Sequence, residues 1–410
     1  MERIVVVGGS LAGVEAAAAL RRDGYAGLLT VIAEEHHEPY ERYPLSKDFL
    51  TKGLDASEIG LDAVLCSDVE MLAEQEAVNL DCRDRYVTLR GWARLPFDGL
   101  VIATGSRPRR LPWTRDLAGV YYFRTLDDAL LVRAALDTRP EHVVVVGGGL
   151  IGSEVVSAVT ARGLAVTLVD MSQAPLERTV GPVVAAHLLE AHVAHGVHIL
   201  TGTKISDAST EGEQVREIEL ESGECLAADL VIVAAGTIPN VEWLRSSGLH
   251  LEDGVLCDAT LHAVGATDIV AAGDVARTSY ALLDGEAVRV EHWRNAIEQG
   301  RRAASNLLRG PRASQPFDAT PCYGTSIQGN YVRVAGLPQY GDETVIAWGS
   351  ISSSRYVAAV GRRGCLVGTL AVNTPDEVTA HYTALVEASA RELRRRTPAE
   401  PISPGSPKYP

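Results

Sequence analysis

Two stretches carry the reading, Ile4-Val-Val-Val-Gly-Gly-Ser-Leu-Ala-Gly-Val-Glu15 and Val143-Val-Val-Val-Gly-Gly-Gly-Leu-Ile-Gly-Ser-Glu154. Each is a run of β-branched residues, then glycines, then an apolar helical stretch, with a second apolar run following at Leu28 to Ala33 and at Ala165 to Asp170. A continuous Val/Ile run is buried on both faces, which is how a parallel strand feeding a crossover helix reads. In a G-x-G-x-x-G turn the glycines let the backbone bend tightly, and the helix that follows offers its N-terminal amides to negative charge. Gly147, Gly149 and Gly152 meet that pattern fully; the first copy reads Gly8, Ser10 and Gly13, with serine at the middle position. One such turn is weak evidence, since similar turns also serve packing, but two in the same strand-turn-helix context point to two dinucleotide sites.

An acid at the end of the second strand of each unit separates the ligands. Asp170 lies about twenty residues past its turn, where a carboxylate accepts the ribose hydroxyls and repels a 2′-phosphate. No arginine follows directly to hold that phosphate, so the expected nucleotide is NADH rather than NADPH. Glu34 and Glu35 take the equivalent place in the first unit, as expected for the adenosine ribose of FAD. Further apolar runs end in glycine turns at Thr104-Gly105, at Gly236 and at Gly273-Asp274. The expected fold is α/β, with two Rossmann-like dinucleotide-binding domains, one for FAD and one for NAD, plus a C-terminal α+β domain.

The remaining features bound the function. A length of 410 residues with 46% hydrophobic content supports two or three buried cores. A formal charge of −15 argues against nucleic acid as the main partner, and no stretch is long and apolar enough for a membrane span. No secretory signal opens the chain, so a cytoplasmic location is expected. Six scattered cysteines include no C-x-x-C pair, which excludes a dithiol relay. The histidines His187, His192, His195 and His198 lack the spacing of a zinc helix, and His36-His37 is equally undistinguished, so no metal is expected. From about Pro316 the chain becomes polar and strand-like, at Tyr331 to Ala335, Thr344 to Trp348, Tyr356 to Val360 and Leu366 to Val372, before a terminal helix and a proline-rich tail.

A set of motifs stands in order along the chain: Glu38-Pro-Tyr-Glu-Arg-Tyr-Pro-Leu-Ser-Lys47, Ala103-Thr-Gly-Ser-Arg-Pro-Arg109, Gly236-Thr-Ile-Pro-Asn240, Ala271-Ala-Gly-Asp-Val-Ala276, Glu291-His-Trp-Arg-Asn-Ala296 and Gly368-Thr-Leu-Ala-Val-Asn373. With these the chain resembles the FAD-dependent, NADH-using ferredoxin and rubredoxin reductases that serve bacterial oxygenases, relatives of apoptosis-inducing factor. The resemblance runs from residue 1 to about 375. It implies an FAD domain split over 1–112 and 237–316, an NAD domain at 113–236, a C-terminal domain at 317–397 and a disordered tail at 398–410. By position, Gly8, Ser10 and Gly13 face the FAD pyrophosphate, with Glu35 the better-aligned ribose ligand and Arg42 a pyrophosphate contact. Thr104, Gly105, Gly236 and Gly273 shape the turns, Asp274 binds the ribityl chain, His292 and Trp293 lie beside the isoalloxazine, and Arg124 reaches toward the adenosine half.

Lys47, presented by the stiff Tyr43-Pro-Leu-Ser entry, requires a partner if buried. The resemblance supplies Glu154, on the first turn of the second helix, near the flavin and the nicotinamide. The implied reaction carries hydride from NADH to FAD and then single electrons to a ferredoxin-type carrier feeding an oxygenase. A direct NADH oxidoreductase acting on a quinone or oxygen, or an NADH-sensing flavoprotein, is the alternative. One segment departs from the pattern: where these reductases carry a Trp-Ser-Asp-Gln stretch, this chain reads Pro321-Cys-Tyr-Gly-Thr-Ser-Ile-Gln328, with Gly324 in place of the tryptophan and a more open site expected. Arg301, Arg302, Arg333, Arg362 and Arg363 are the candidates for a basic docking patch.

Overall fold

The computed structural model describes residues 1–61, 68–114 and 117–396; Cys66 and the proline-rich tail lie outside them. Two parallel five-stranded sheets dominate. The first runs Ile269–Ala271, Gly99–Ile102, Arg3–Val7, Leu28–Ile32, Glu70–Leu72, and the second His198–Thr201, Val166–Asp170, Val143–Val146, Leu230–Val233, Val120–Tyr122. Every pairing within both is parallel. The quoted valine runs are the central strands, buried on both faces as their unbroken hydrophobicity demands.

The helices Leu11–Arg22 and Leu150–Ala161 follow the glycine turns. The first contributes an alanine face that lets another helix, Trp293–Arg309, approach closely. At Gly300 of that helix a Cβ would lie 2.4 Å from the Ala12 carbonyl oxygen, so only glycine permits the contact. This packing and the strand Ile269–Ala271 return the chain to the first sheet after the second has been completed. The crossings between the units run through Ser106–Pro108 and Thr237–Pro239, which pair antiparallel.

The C-terminal region is an antiparallel sheet of five strands in the order Cys322–Ile327, Asn330–Gly336, Cys365–Val372, Arg355–Arg362, Glu343–Ser350, followed by the helix Asp376–Arg396. Its first strand, Cys322–Ile327, is additional to the four strand-like stretches read from the sequence. Tyr323 and Ile327 from that strand enter a core with Leu176, Val180, Val184 and Leu188 of the second unit, so the sheet is clamped onto the second unit. Among the described residues no helix is long and apolar enough to cross a membrane.

Candidate functional site

The first glycine turn is built by close backbone approach. Gly8 has φ +123° and its Cβ would lie 2.1 Å from the Ala103 carbonyl oxygen, while a Cβ at Gly13 would lie 1.8 Å from that of Gly8. Ser10 caps the helix in extended conformation without a side-chain cap bond, and its Oγ accepts Arg42 Nε at 3.3 Å. Arg42 also pairs with Glu35, which accepts the Tyr40 hydroxyl at 2.6 Å. Glu34 points outward, and partial burial, then Glu76 and Glu35, hold its carboxyl above the ordinary range. Arg124 meets Asp274 and reaches Ser106 Oγ at 3.1 Å, while the Arg42 guanidinium donates to the Arg124 carbonyl at 3.2 Å. Gly273 donates its amide to Gln299 at 2.9 Å, which fixes the turn carrying Asp274. Thr104 and Asn240 exchange two hydrogen bonds of 2.8 and 2.9 Å beside Gly105.

The second turn repeats the backbone but not the side chains. A Cβ at Gly147 would lie 2.5 Å from the Ala234 carbonyl oxygen and one at Gly152 1.8 Å from that of Gly147, whereas at Gly149 it would meet nothing within 4 Å. Asp170 accepts the amides of Gly148 at 2.5 Å and Ser172 at 2.6 Å. Gly236 has φ +86° and open space where a Cβ would stand, and its carbonyl accepts the Arg109 amide at 2.9 Å.

Between the two units lies a buried charge pair. Lys47 Nζ stands 2.7 Å from Glu154 Oε1, with the side chains 15% and 4% exposed. Glu154 begins the second turn of its helix, one turn later than the motif position suggests, because the helix starts at Leu150. Its carboxylate also accepts Ser46 Oγ at 2.5 Å and Thr325 Oγ1 at 2.6 Å, so three groups from two separate segments satisfy one buried anion, as burial requires. The Lys47 ammonium donates to the Tyr43 carbonyl at 3.3 Å and lies 4.1 Å from the Tyr43 ring centroid. His292 stacks on Tyr323 with centroids 3.8 Å apart, and burial pushes its imidazole down to about 4 against the opposing pull of Asp274. Trp293 opens the following helix, 43% exposed, with its ring 6.3 Å from that of Tyr43.

Sequence reasoning gave no individual role to Ser46, Tyr43, Tyr323 or Thr325; Ser46 and Tyr43 had their nearness to Lys47 as a signal, and Tyr323 and Thr325 their place in the departing segment Pro321–Gln328. The five arginines considered for a basic patch do not form one. Arg301 binds Glu15, Arg302 Asp318, Arg333 Asp376, Arg362 Glu286 and Arg363 Asp284, at scattered places. His187 bonds Asn330, His192 Gln328 and His195 the Ala191 carbonyl. His37 Nε2 bonds Asp127 at 2.8 Å and His36 Nδ1 lies 3.9 Å from the same carboxylate, a grouping compact enough for a metal ion that the sequence hides because Asp127 is distant.

The donor sets fit two dinucleotides. Both helices begin without an acid in the first turn, so their N-terminal dipoles are uncompensated. Each turn has a carboxylate at the end of the neighbouring strand. Two such turns on parallel sheets, joined through a buried lysine–glutamate pair, define a two-nucleotide oxidoreductase. The chain belongs to the pyridine nucleotide-disulphide oxidoreductase family, whose sequence pattern residues 2–300 match, and it is an oxidoreductase of FAD and NAD(H). It is 31% identical over 380 residues to rhodocoxin reductase of Rhodococcus erythropolis, covering 91% of this chain and 86% of that one. It is 32% identical over 410 residues to putidaredoxin reductase CamA of Pseudomonas putida, covering 98% and 93%. The reductase of a covalent putidaredoxin reductase–putidaredoxin complex superposes with a TM-score of 0.87 at 28% identity, over 97% of this chain and 99% of that one.

Proposed function

We propose that the protein is a cytoplasmic NADH-dependent ferredoxin reductase that delivers electrons to a ferredoxin-type carrier feeding an oxygenase. Residues 1–112 and 237–316 form its FAD unit, 113–236 its NAD unit and 317–397 its C-terminal unit. The observation that carries the reading is the buried Lys47–Glu154 pair, assembled from both units and the C-terminal sheet. The relatives named for rhodocoxin and putidaredoxin support the class of acceptor.

FAD, when bound, accepts an electron pair as hydride from NADH and gives it up singly. Gly8, Ser10 and Gly13 leave the helix amides at Leu11 and beyond free for its pyrophosphate, Arg42 adds charge, and Glu35 takes the ribose hydroxyls. Asp274, with Thr104, Gly105 and Gly273 shaping its surroundings, serves the ribityl chain; Arg124, which pairs with Asp274, keeps that carboxylate aimed. Gly147, Gly149, Gly152, Asp170 and Gly236 do the corresponding work for NADH. Lys47 and Glu154 position the reacting rings without exchanging protons with them, since both carboxylate oxygens are already engaged, Oε1 by Lys47 and Thr325 and Oε2 by Ser46. His292 and Trp293 wall the site, and His292, neutral at physiological pH, adds no charge there.

The test is stopped-flow reduction of the loaded protein by NADH and by NADPH, followed by reoxidation with and without putidaredoxin. Rapid bleaching by NADH and putidaredoxin-dependent reoxidation are expected. Turnover that is indifferent to the carrier would establish a direct oxidase or quinone reductase instead, and sluggish reduction by both nucleotides a sensor. Lys47→Met is expected to slow bleaching by about tenfold or more through lost positioning. An unchanged rate would remove the pair from the mechanism.

A further inference from the structure

Two adjacent histidines and a distant aspartate meet at the surface. His37 Nε2 stands 2.8 Å from Asp127 Oδ1, across 90 positions of sequence, and His36 Nδ1 lies 3.9 Å from Oδ2 of the same carboxylate. Each imidazole thus faces its own oxygen, with the ring centroids 3.8 Å apart. A simple His–Asp hydrogen bond accounts for His37. It does not account for a second imidazole gathered on the other oxygen. One nitrogen of each ring and one carboxylate oxygen lie within 4.8 Å of one another, and among the described residues no other three histidine, cysteine or acidic side chains bring their ligand atoms together so closely.

The surroundings hold these side chains in place. Asp127 lies in the first turn of the helix Leu126–Asp137, whose start is capped reciprocally by Thr125 and Asp128, so the cap makes no use of the Asp127 carboxylate. His36 and His37 follow the strand Leu28–Ile32, and the His37 ring meets Tyr40 edge-on with centroids 6.1 Å apart. The Tyr40 hydroxyl accepts the Leu126 amide at 2.8 Å, which ties this loop to the start of that helix. The positive end of the helix dipole opposes a cation here, and the two first-turn carboxylates, Asp127 and Asp128, offset it.

Two imidazole nitrogens and a carboxylate oxygen are a donor set for zinc and neighbouring transition metals, whereas magnesium and calcium take oxygen ligands. With zinc bonds of about 2.0–2.2 Å, tetrahedral ligand atoms stand about 3.3–3.5 Å apart, so the separations of 2.8 and 3.9 Å close on an ion by small side-chain rotations. His36 and Asp127 are both more than half exposed, which leaves water to complete the tetrahedron. We propose that His36, His37 and Asp127 bind one divalent transition-metal ion of the zinc class, which bridges the loop after the strand Leu28–Ile32 to the start of the helix Leu126–Asp137. Tyr40 closes the same junction without a metal, so the ion adds to a contact the fold already makes. The site is independent of the acceptor reading proposed above.

The test uses the flavin-loaded full chain in a non-chelating buffer, with zinc chloride as the probe, calorimetry for affinity and zinc-edge X-ray absorption for the ligands. Uptake of one zinc ion and no uptake of magnesium are expected, with nitrogen and oxygen ligands at about 2.0–2.2 Å. His36→Ala and Asp127→Asn should each raise the zinc Kd about tenfold or more. Both replace exposed side chains, and Asp127→Asn keeps an acceptor for His37, so retained flavin absorbance shows that the variants are folded. A wild-type protein that takes up no zinc overturns the inference, as does a wild-type Kd in either variant. A sulfur ligand at about 2.3 Å also overturns it, by assigning the ion to a cysteine.

Discussion

The turns at residues 8–13 and 147–152 share a backbone and differ in what surrounds it. Around the first, side chains lock one another: Arg42 joins Ser10 to Glu35, Tyr40 joins Glu35 from the other side, and Arg124 holds Asp274. Around the second, Asp170 is held among the described residues by two backbone amides, and Gly149 faces open space. A network of mutually oriented charges is preorganised, which suits a ligand that stays; a carboxylate on a bare turn suits one that comes and goes. The difference between a resident and an exchangeable nucleotide is thus carried by side chains recruited from afar, not by the glycines.

The largest expected effects come from the glycines the two turns have in common. In Gly13→Ala and Gly152→Ala the new methyl group would stand 1.8 Å from the carbonyl oxygen of Gly8 or Gly147, and no side-chain rotation relieves a clash with backbone. A loss of about 4 kcal/mol or more is expected for each, read as a fall in the denaturation midpoint. If folded protein is recovered, Gly13→Ala should lack the yellow flavin and Gly152→Ala should keep it while failing to bind NADH. The opposite assignment would reverse the roles of the two units.

Acid should strike the second unit at a defined place. His192 is fully buried beneath the C-terminal sheet, Gln328 meets its Nδ1 at 3.1 Å, and its Nε2 has no partner among the described residues. Burial, and secondarily His195, depress its imidazole to about 4. The unfolded chain binds this proton below about 6.5 and the folded chain does not, so stability falls as pH drops from about 6.5 to about 4, by roughly 3 kcal/mol in all. His192→Leu should flatten that part of the melting temperature against pH; an unaltered slope would place the acid sensitivity elsewhere.

The legibility of the site followed the range of the forces involved. The positive φ of Gly8 and Gly147 is a local demand, met by one residue type, and so it is written in the sequence. The parallel sheets were readable because strands buried on both faces must be continuously apolar. The bond of Thr325 to Glu154, the ring of Tyr331 over Gly324 and the grip of Arg124 on Asp274 join residues far apart along the chain through tertiary packing. Their residue types are ordinary, and nothing local marks them. The departure at Gly324 was visible as an absence, while the contact of Tyr331 with it, seven positions later, was not, because diagonal contact depends on the register of the strands Cys322–Ile327 and Asn330–Gly336.

Asp170 offers a gentler test. Replacing it with glycine, together with Met171→Arg, removes the repulsion of a 2′-phosphate and offers it a charge. Preference should move from NADH toward NADPH by about tenfold to a hundredfold in kcat/KM, with flavin content unchanged. Flavin loss in this variant would show that the two units are not separable.

The smallest effect on stability, and the sharpest on the comparison, should come from exchanging the middle residues. Gly149 has φ −73°, which any residue adopts, and a Cβ there would meet no atom within 4 Å, so the fold does not require glycine. Gly149→Ser should therefore change stability by less than about 0.5 kcal/mol. If glycine stands there so that the backbone can approach a pyrophosphate, the cost must appear instead as a raised KM for NADH with little change in kcat. Ser10→Gly in the first turn removes the hydroxyl that meets Arg42, and should loosen flavin retention without touching the NADH KM. The two substitutions separate a turn that binds through its backbone from one that binds through its borrowed side chains; a Gly149→Ser protein with wild-type KM would dissolve that distinction.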